Sequence, residues 1–173
     1  LTAILLCFVP FSSKTFISNY STTIGLWFQN FEFNASVYYI IRWIGYQTVG
    51  WNIIATVGLI LPIVVFICVV VLSLVRKYNT TQNLITGMLL AVSVYLLLAT
   101  TVHPWYIATA VLLGVFTKYK YALVWSFMIC FSYSAYTLEG YQENLLLVAM
   151  EYGVVISVAV WELLIKNYIK KRA

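Results

Sequence analysis

The stretch WNIIATVGLILPIVVFICVVVLSLV, residues Trp51 to Val75, decides the fold. It carries no charged side chain, and about 20 apolar helical residues suffice to cross the hydrocarbon core of a bilayer. The run is long enough to cross with some tilt. Pro62 lies inside it, and a membrane helix tolerates such a proline as a kink because its neighbours re-satisfy the freed backbone group. Arg76-Lys77 follow at once, and basic residues at the end of an apolar run mark its cytoplasmic side.

Four further apolar runs follow: Leu84 to Val102, the short Trp105 to Thr117, Tyr121 to Thr137, and Leu145 to Ile165. Upstream, Leu1 to Phe11 is too short to span. It also lacks the basic flank and small-residue cleavage site of a signal peptide. It reads as the tail of a truncated transmembrane helix, so the chain is expected to be the C-terminal part of a longer protein. The expected fold class is all-α: a polytopic transmembrane helix bundle of five full helices plus one truncated, forming a single transmembrane domain over residues 1–173.

Alternation then orients every loop. Arg76-Lys77 and Lys118-Tyr119-Lys120 fall inside, as does the tail carrying Lys166, Lys170, Lys171 and Arg172, so the C-terminus is expected in the cytoplasm. His103-Pro104 and the loop 138–144, with Glu139 and Glu143, fall outside, as does the segment 12–50.

Composition agrees. Apolar and aromatic residues make up 63% of the chain and charged residues 9%, against about 25% charged in an average soluble domain. So few charges cannot cover a water-facing surface, and the solvent for most of this one is lipid. The formal charge of +5 does not indicate a nucleic-acid partner, because the basic residues cluster at the ends of apolar runs. Cys7, Cys68 and Cys130 lie inside apolar stretches without metal-ligand spacing and read as small buried hydrophobes. With one histidine and no aspartate, the chain holds no Ser-His-Asp triad. Three N-x-Ser/Thr sequons, at Asn19, Asn34 and Asn79, carry no weight, since the pattern is common by chance.

Residues 12–50 are too polar to span and too aromatic to float free. Trp27, Phe28, Phe31 and Phe33 are followed by Tyr38, Tyr39, Trp43 and Tyr46, and amphipathic aromatics collect at the membrane interface. Ser36 to Tyr46 is expected to form an interfacial helix with Ser36 as N-cap.

The candidate site residues divide into two groups. His103 is held on a bend by Pro104, which excludes the α region for the residue before it, with Trp105 and Tyr106 beside it. It can hydrogen-bond a lipid phosphate or a sugar hydroxyl; the plainer reading is an interfacial His-Pro turn. Lys14, Glu32 and Arg42 lie on the outer segment. The cations suit a phosphate, and Glu32 between two phenylalanines suits proton transfer; ordinary interfacial anchoring is the alternative. Glu151 sits at membrane depth and is a functional candidate for that reason. Glu162 is expected to pair with Lys166, four residues on.

The element Thr101-Val102-His103-Pro104-Trp105-Tyr106 at the outer end of a helix resembles the HPWY-type element of polytopic mannosyltransferases with the GT-C fold. The stretch Phe31-Glu32-Phe33-Asn34-Ala35-Ser36-Val37-Tyr38-Tyr39 is similar to a segment of the bacterial members. The resemblance covers about a quarter of the chain. It implies a glycosyltransferase in the bacterial inner membrane, with a polyprenyl-phosphate sugar as donor and a glycan or lipid as acceptor. It implies that His103, Trp105, Tyr106, Glu32, Arg42 and Lys14 line the substrate site. No cofactor is evident, and nothing in the sequence supports a divalent metal. The family places a catalytic aspartate on its first outer loop, and this chain contains none. Two other readings stay open: a non-catalytic membrane scaffold subunit of a larger complex, and a transporter, which the scarcity of polar residues at mid-membrane depth disfavours.

Overall fold

The computed structural model describes residues 7–138 and 140–165. Leu1–Leu6 of the expected truncated helix, Glu139, and the basic tail from Lys166 onward lie outside the described residues. Seven α-helices dominate the described residues: α1 (Lys14–Asn30), α2 (Val37–Thr48), α3 (Ile54–Val75), α4 (Thr81–Leu98), α5 (Ile107–Val115), α6 (Tyr121–Met128) and α7 (Leu145–Val160). A 3-10 turn, Pro104–Tyr106, leads into α5, and a longer one, Ile129–Ala135, continues α6. A two-stranded antiparallel pair, β1 (Tyr136–Thr137) and β2 (Gly140–Tyr141), turns the chain into α7. The all-α fold class holds.

Among the described residues three helices are long and apolar enough to cross a membrane: Ile54–Val75, Thr81–Leu98 and Leu145–Leu164. Five full helices were expected, and the other two are shorter. Pro104–Val115 and Tyr121–Ala135 are apolar, but the first rises roughly 20 Å against a hydrocarbon core of about 30 Å. Local chemistry shortens both. Thr117 Oγ1 donates to the Gly114 carbonyl at 3.0 Å and stops α5. Ser132 Oγ donates to the Ile129 carbonyl at 2.7 Å within the tightened 3-10 stretch, an instance of hydroxyls competing for backbone acceptors. The two form a close hairpin. A Cβ built on Gly114 would lie 3.4 Å from Ala122 Cβ, the small-on-small contact by which helices approach in lipid.

Glu162 fixes that hairpin to α7. Its Oε2 accepts from the backbone N–H of Lys120 at 2.6 Å and of Tyr121 at 2.9 Å, so a carboxylate meets the open amides at the start of α6. The expected Glu162–Lys166 pair falls partly outside the described residues. The main core lies between α4, α5, α6 and α7, around Leu89, Leu96, Ile107, Trp125, Tyr152 and Val155.

Residues 12–50 form two helices joined by a short extended strip. α1 is capped by Ser13, whose side chain accepts from Phe16 N, and it packs against α3. Its polar residues fit a helix because their hydroxyls bond back one turn: Thr22 to the Ser18 carbonyl and Thr23 to the Asn19 carbonyl. α2 starts where expected, with Ser36 at the N-cap position but with no capping hydrogen bond from its side chain.

Candidate functional site

The strip Phe31–Asn34 organises the site. Phe33 N–H donates to the Thr100 carbonyl at 3.1 Å, Val102 N–H donates to the Phe33 carbonyl at 2.8 Å, and Thr101 Oγ1 donates to the Phe31 carbonyl at 3.1 Å. Phe33 and Thr101 thus form a one-residue parallel bridge. In extended backbone successive side chains alternate between faces. Phe31 and Phe33 accordingly meet His103, while Glu32 and Asn34 make polar contacts elsewhere.

On the first face His103 sits in an aromatic stack. Its ring lies 4.4 Å from Trp105 at an interplanar angle of 9° and 5.0 Å from Phe33 at 29°, with Tyr106 edge-on at 5.4 Å. His103 is 7% exposed and Trp105 62%. Burial lowers the His103 pKa below its ordinary value, so the neutral form is favoured. Trp105 thus offers the open aromatic surface here, and His103 holds it flat from beneath.

On the second face Glu32 is bound from three sides. Arg42 Nη1 makes an ion pair with Oε1. Tyr38 Oη donates to Oε2 at 2.6 Å, and Asn52 Nδ2 donates to it at 3.3 Å. Burial, then the Glu32 carboxylate, push the Tyr38 hydroxyl well above its ordinary value. Burial opposes charge on Arg42, but Glu32 outweighs it and leaves the guanidinium pKa raised. Arg42 also lies over the Tyr39 ring, 4.3 Å from its centroid. Beside this group opens a cleft of about 250 Å³, lined by Glu32, Arg42, Tyr141, Gln142, Glu143 and Leu145.

Glu143 closes the cleft. Its Oε1 accepts from Asn34 N–H at 2.5 Å, and its Oε2 accepts from Tyr39 Oη. Burial and this carboxylate together raise the Tyr39 pKa. Below it, Asn34 Nδ2 donates to both oxygens of the fully buried Glu151 at 3.2 Å, and Trp125 Nε1 donates to Glu151 Oε1 at 3.1 Å. Tyr152 Oη donates to the Asn34 carbonyl at 2.7 Å. Asn34 adopts φ +46°, in the left-handed region, which asparagine enters more readily than most residues. The Asn34 sequon is therefore inside the protein. Glu151 acts here as an anchor that ties the strip to α6 and α7.

The structure brings Glu32 and Arg42 together at one cleft and gathers His103, Trp105 and Tyr106 on the other face of the strip. Lys14 begins α1, whose axis carries it roughly 25 Å from the Phe31 end, so Lys14 does not share the cleft. Glu143 is the charged cleft residue that the sequence did not single out, and Asn34 and Tyr39 are the partners that hold it; the nearest signal is the loop 138–144, which carries Glu139 and Glu143 with no basic residue. Chemically the cleft holds two carboxylates and one guanidinium. It can accept hydrogen bonds or a proton from hydroxyls and can clamp one anion through Arg42. Among the described residues no three His, Cys, Asp or Glu side chains are grouped to hold a metal ion. Searches for similarity to protein-family models, to curated proteins and to solved structures found no match for this chain.

Proposed function

We propose that the chain is the lipid-and-sugar-binding part of a polytopic membrane glycosyltransferase of the mannosyltransferase type, using a polyprenyl-phosphate sugar as donor. One observation carries the reading. The two stretches that bear the family resemblance, 31–39 and 101–106, are far apart in sequence, yet their backbones bridge at Phe33 and Thr101. They form one structural unit at the ends of three apolar helices. In this reading the short hairpin of α5 and α6 completes a five-helix bundle. The strip then faces the outer side of a bacterial inner membrane, and Arg76-Lys77, Lys118-Lys120 and the C-terminus face the cytoplasm.

An acceptor hydroxyl attacks the anomeric carbon and passes its proton to a cleft carboxylate, Glu32 or Glu143, which takes the part of the absent aspartate; the bond from that carbon to the lipid-phosphate oxygen breaks, and the phosphate leaves with the electron pair. Arg42 meets the charge that develops on the phosphate, Glu32 or Glu143 accepts hydrogen bonds from sugar hydroxyls, and Trp105 offers an aromatic face. Glu32 already neutralises Arg42, an observation that favours the scaffold-subunit reading, so the assay must separate the two. The full chain in lipid nanodiscs is given radiolabelled polyprenyl-phosphate mannose and a mixed glycan and lipid acceptor extract. Label transfer is expected, falling about 10²-fold in Arg42→Ala. Absence of both donor consumption and donor binding would favour the scaffold.

A further inference from the structure

Beside the cleft lies a second cavity whose chemistry is different. Between α2 and α7 runs an apolar groove of about 420 Å³, lined among others by Ala35, Tyr39, Trp43, Val148, Gly153 and Ile156. Leu145 lines both cavities. Tyr39 stands at the junction: its ring walls the groove, and its hydroxyl donates to Glu143 in the cleft. The groove follows α7 from Leu145 to Ile156, a rise of roughly 16 Å, about half the hydrocarbon thickness. Its α2 wall is held in place by Tyr38, which is fully buried and bonded to Glu32 and Asn52. The exposed Trp43 sits on the rim, the level at which tryptophan favours the interface. A Cβ built on Gly153 meets nothing within 4 Å, so the groove floor is open where this glycine lies.

We propose that this groove seats one hydrocarbon chain of a glycosyl-phosphate lipid whose head occupies the Glu32–Arg42–Glu143 cleft. The choice of head rests on the function proposed above, whereas the chain seat stands on the groove. The volume lies in the range of small-molecule sites. The charge selects the head: the cleft is acidic overall, so it repels a strongly anionic head and accepts hydrogen bonds from a polyhydroxylated one, while Arg42, shared with Glu32, can meet no more than one phosphate. An ordinary phospholipid offers few hydroxyls to those carboxylates.

The test uses the full chain in phosphatidylcholine nanodiscs and a mannosyl-phosphate lipid carrying a diazirine midway along its chain. After irradiation, peptide mass spectrometry is expected to place the label on α2 and on residues 148–156 of α7. Excess unlabelled mannosyl-phosphate lipid should reduce labelling at least about tenfold, and excess phosphatidylglycerol should not. Gly153→Trp fills the floor and should reduce groove labelling by a similar factor; Gly153→Leu serves if the larger ring prevents folding. Label spread evenly over all lipid-facing helices, equal competition by phosphatidylglycerol, or labelling undiminished in the Gly153 variants would overturn the proposal. Specific labelling without sugar transfer would leave the lipid seat standing and remove the transferase reading. Sugar transfer without groove labelling would do the reverse.

Discussion

Replacing Asn34 by alanine tests how the strip is held. The substitution leaves the backbone bonds of residue 34 to Glu143 and Tyr152 in place and removes only the side chain. Two effects destabilise. The buried Glu151 loses one of its two partners, Nδ2 at 3.2 Å from both oxygens, and keeps Trp125. Leaving a buried acceptor short costs about 1–3 kcal/mol, with membrane-protein cycles pointing to the lower half of that range. Alanine must also hold φ +46°, which costs an ordinary L-residue about 1 kcal/mol more than asparagine. One effect offsets them: Asn34 Oδ1 is buried without a hydrogen-bond partner among the described residues, and its removal returns part of the loss. The net expectation is about 2 kcal/mol, a fall in Tm of about 4–8 °C for a chain of this size. Asn34→Gly loses the same bonds without the strain, so it should melt about 2–4 °C above Asn34→Ala. The assay is thermal unfolding in detergent, followed by circular dichroism. An Asn34→Ala protein as stable as the wild type, or a glycine variant below the alanine one, would refute the reasoning.

Glu162→Ala strips the acceptor from two amides at the start of α6 and should cost about 1–2 kcal/mol, with Glu162→Gln milder because it keeps an oxygen; equal melting of all three proteins would show that the cap is dispensable. Gly87→Ala places a Cβ 2.5 Å from Tyr78 Cε1, so the ring must swing off α4 and release its hydroxyl bond to the Leu72 carbonyl. The cost should be about 1 kcal/mol and should vanish in a Tyr78→Ala background, as a double-mutant cycle in Tm would read. His103 has a folded-state pKa below its ordinary 6.5, so the unfolded chain binds more protons between the two values. Stability from this group is complete above about pH 6.5 and is lost as pH falls toward the folded value. His103→Phe keeps the stack and should flatten the Tm profile on the acid side; an unchanged slope would remove His103 as its source.

What the sequence disclosed were features carried by local pattern. Apolar run length located α3, α4 and α7, and a serine before an aromatic helix located the start of α2. Proximity of Glu32 to Arg42 needed only ten residues of helix and turn. The remaining site residues depend on long-range pairing. Asn34 looked like a chance sequon because its partners, Glu143, Glu151 and Tyr152, lie on the last loop and helix. Glu162 suggests a pairing four residues away, and the partners it shows among the described residues lie 41 and 42 residues back. Lys14 was grouped with the site because 12–50 read as one surface piece. The back-bonding hydroxyls of α1, which carry that residue away, produce no apolar period for a sequence reading to detect.

The strip is synthesised well before what fixes it. Thr101 lies 70 residues beyond Phe31, and Tyr152 lies 118 beyond Asn34. At about 5–20 residues per second, a ribosome takes roughly 6–24 s to supply the last of these partners. Early in that interval α2 and α3 are already made while Phe31–Asn34 lacks its bridge to Thr101 and its anchor on Glu151. The order of insertion and the order of tertiary locking therefore differ: the local contacts of Glu32 with Arg42, Tyr38 and Asn52 can form first, the bridge to Thr101 next, and the anchor on Glu151 only when α7 arrives.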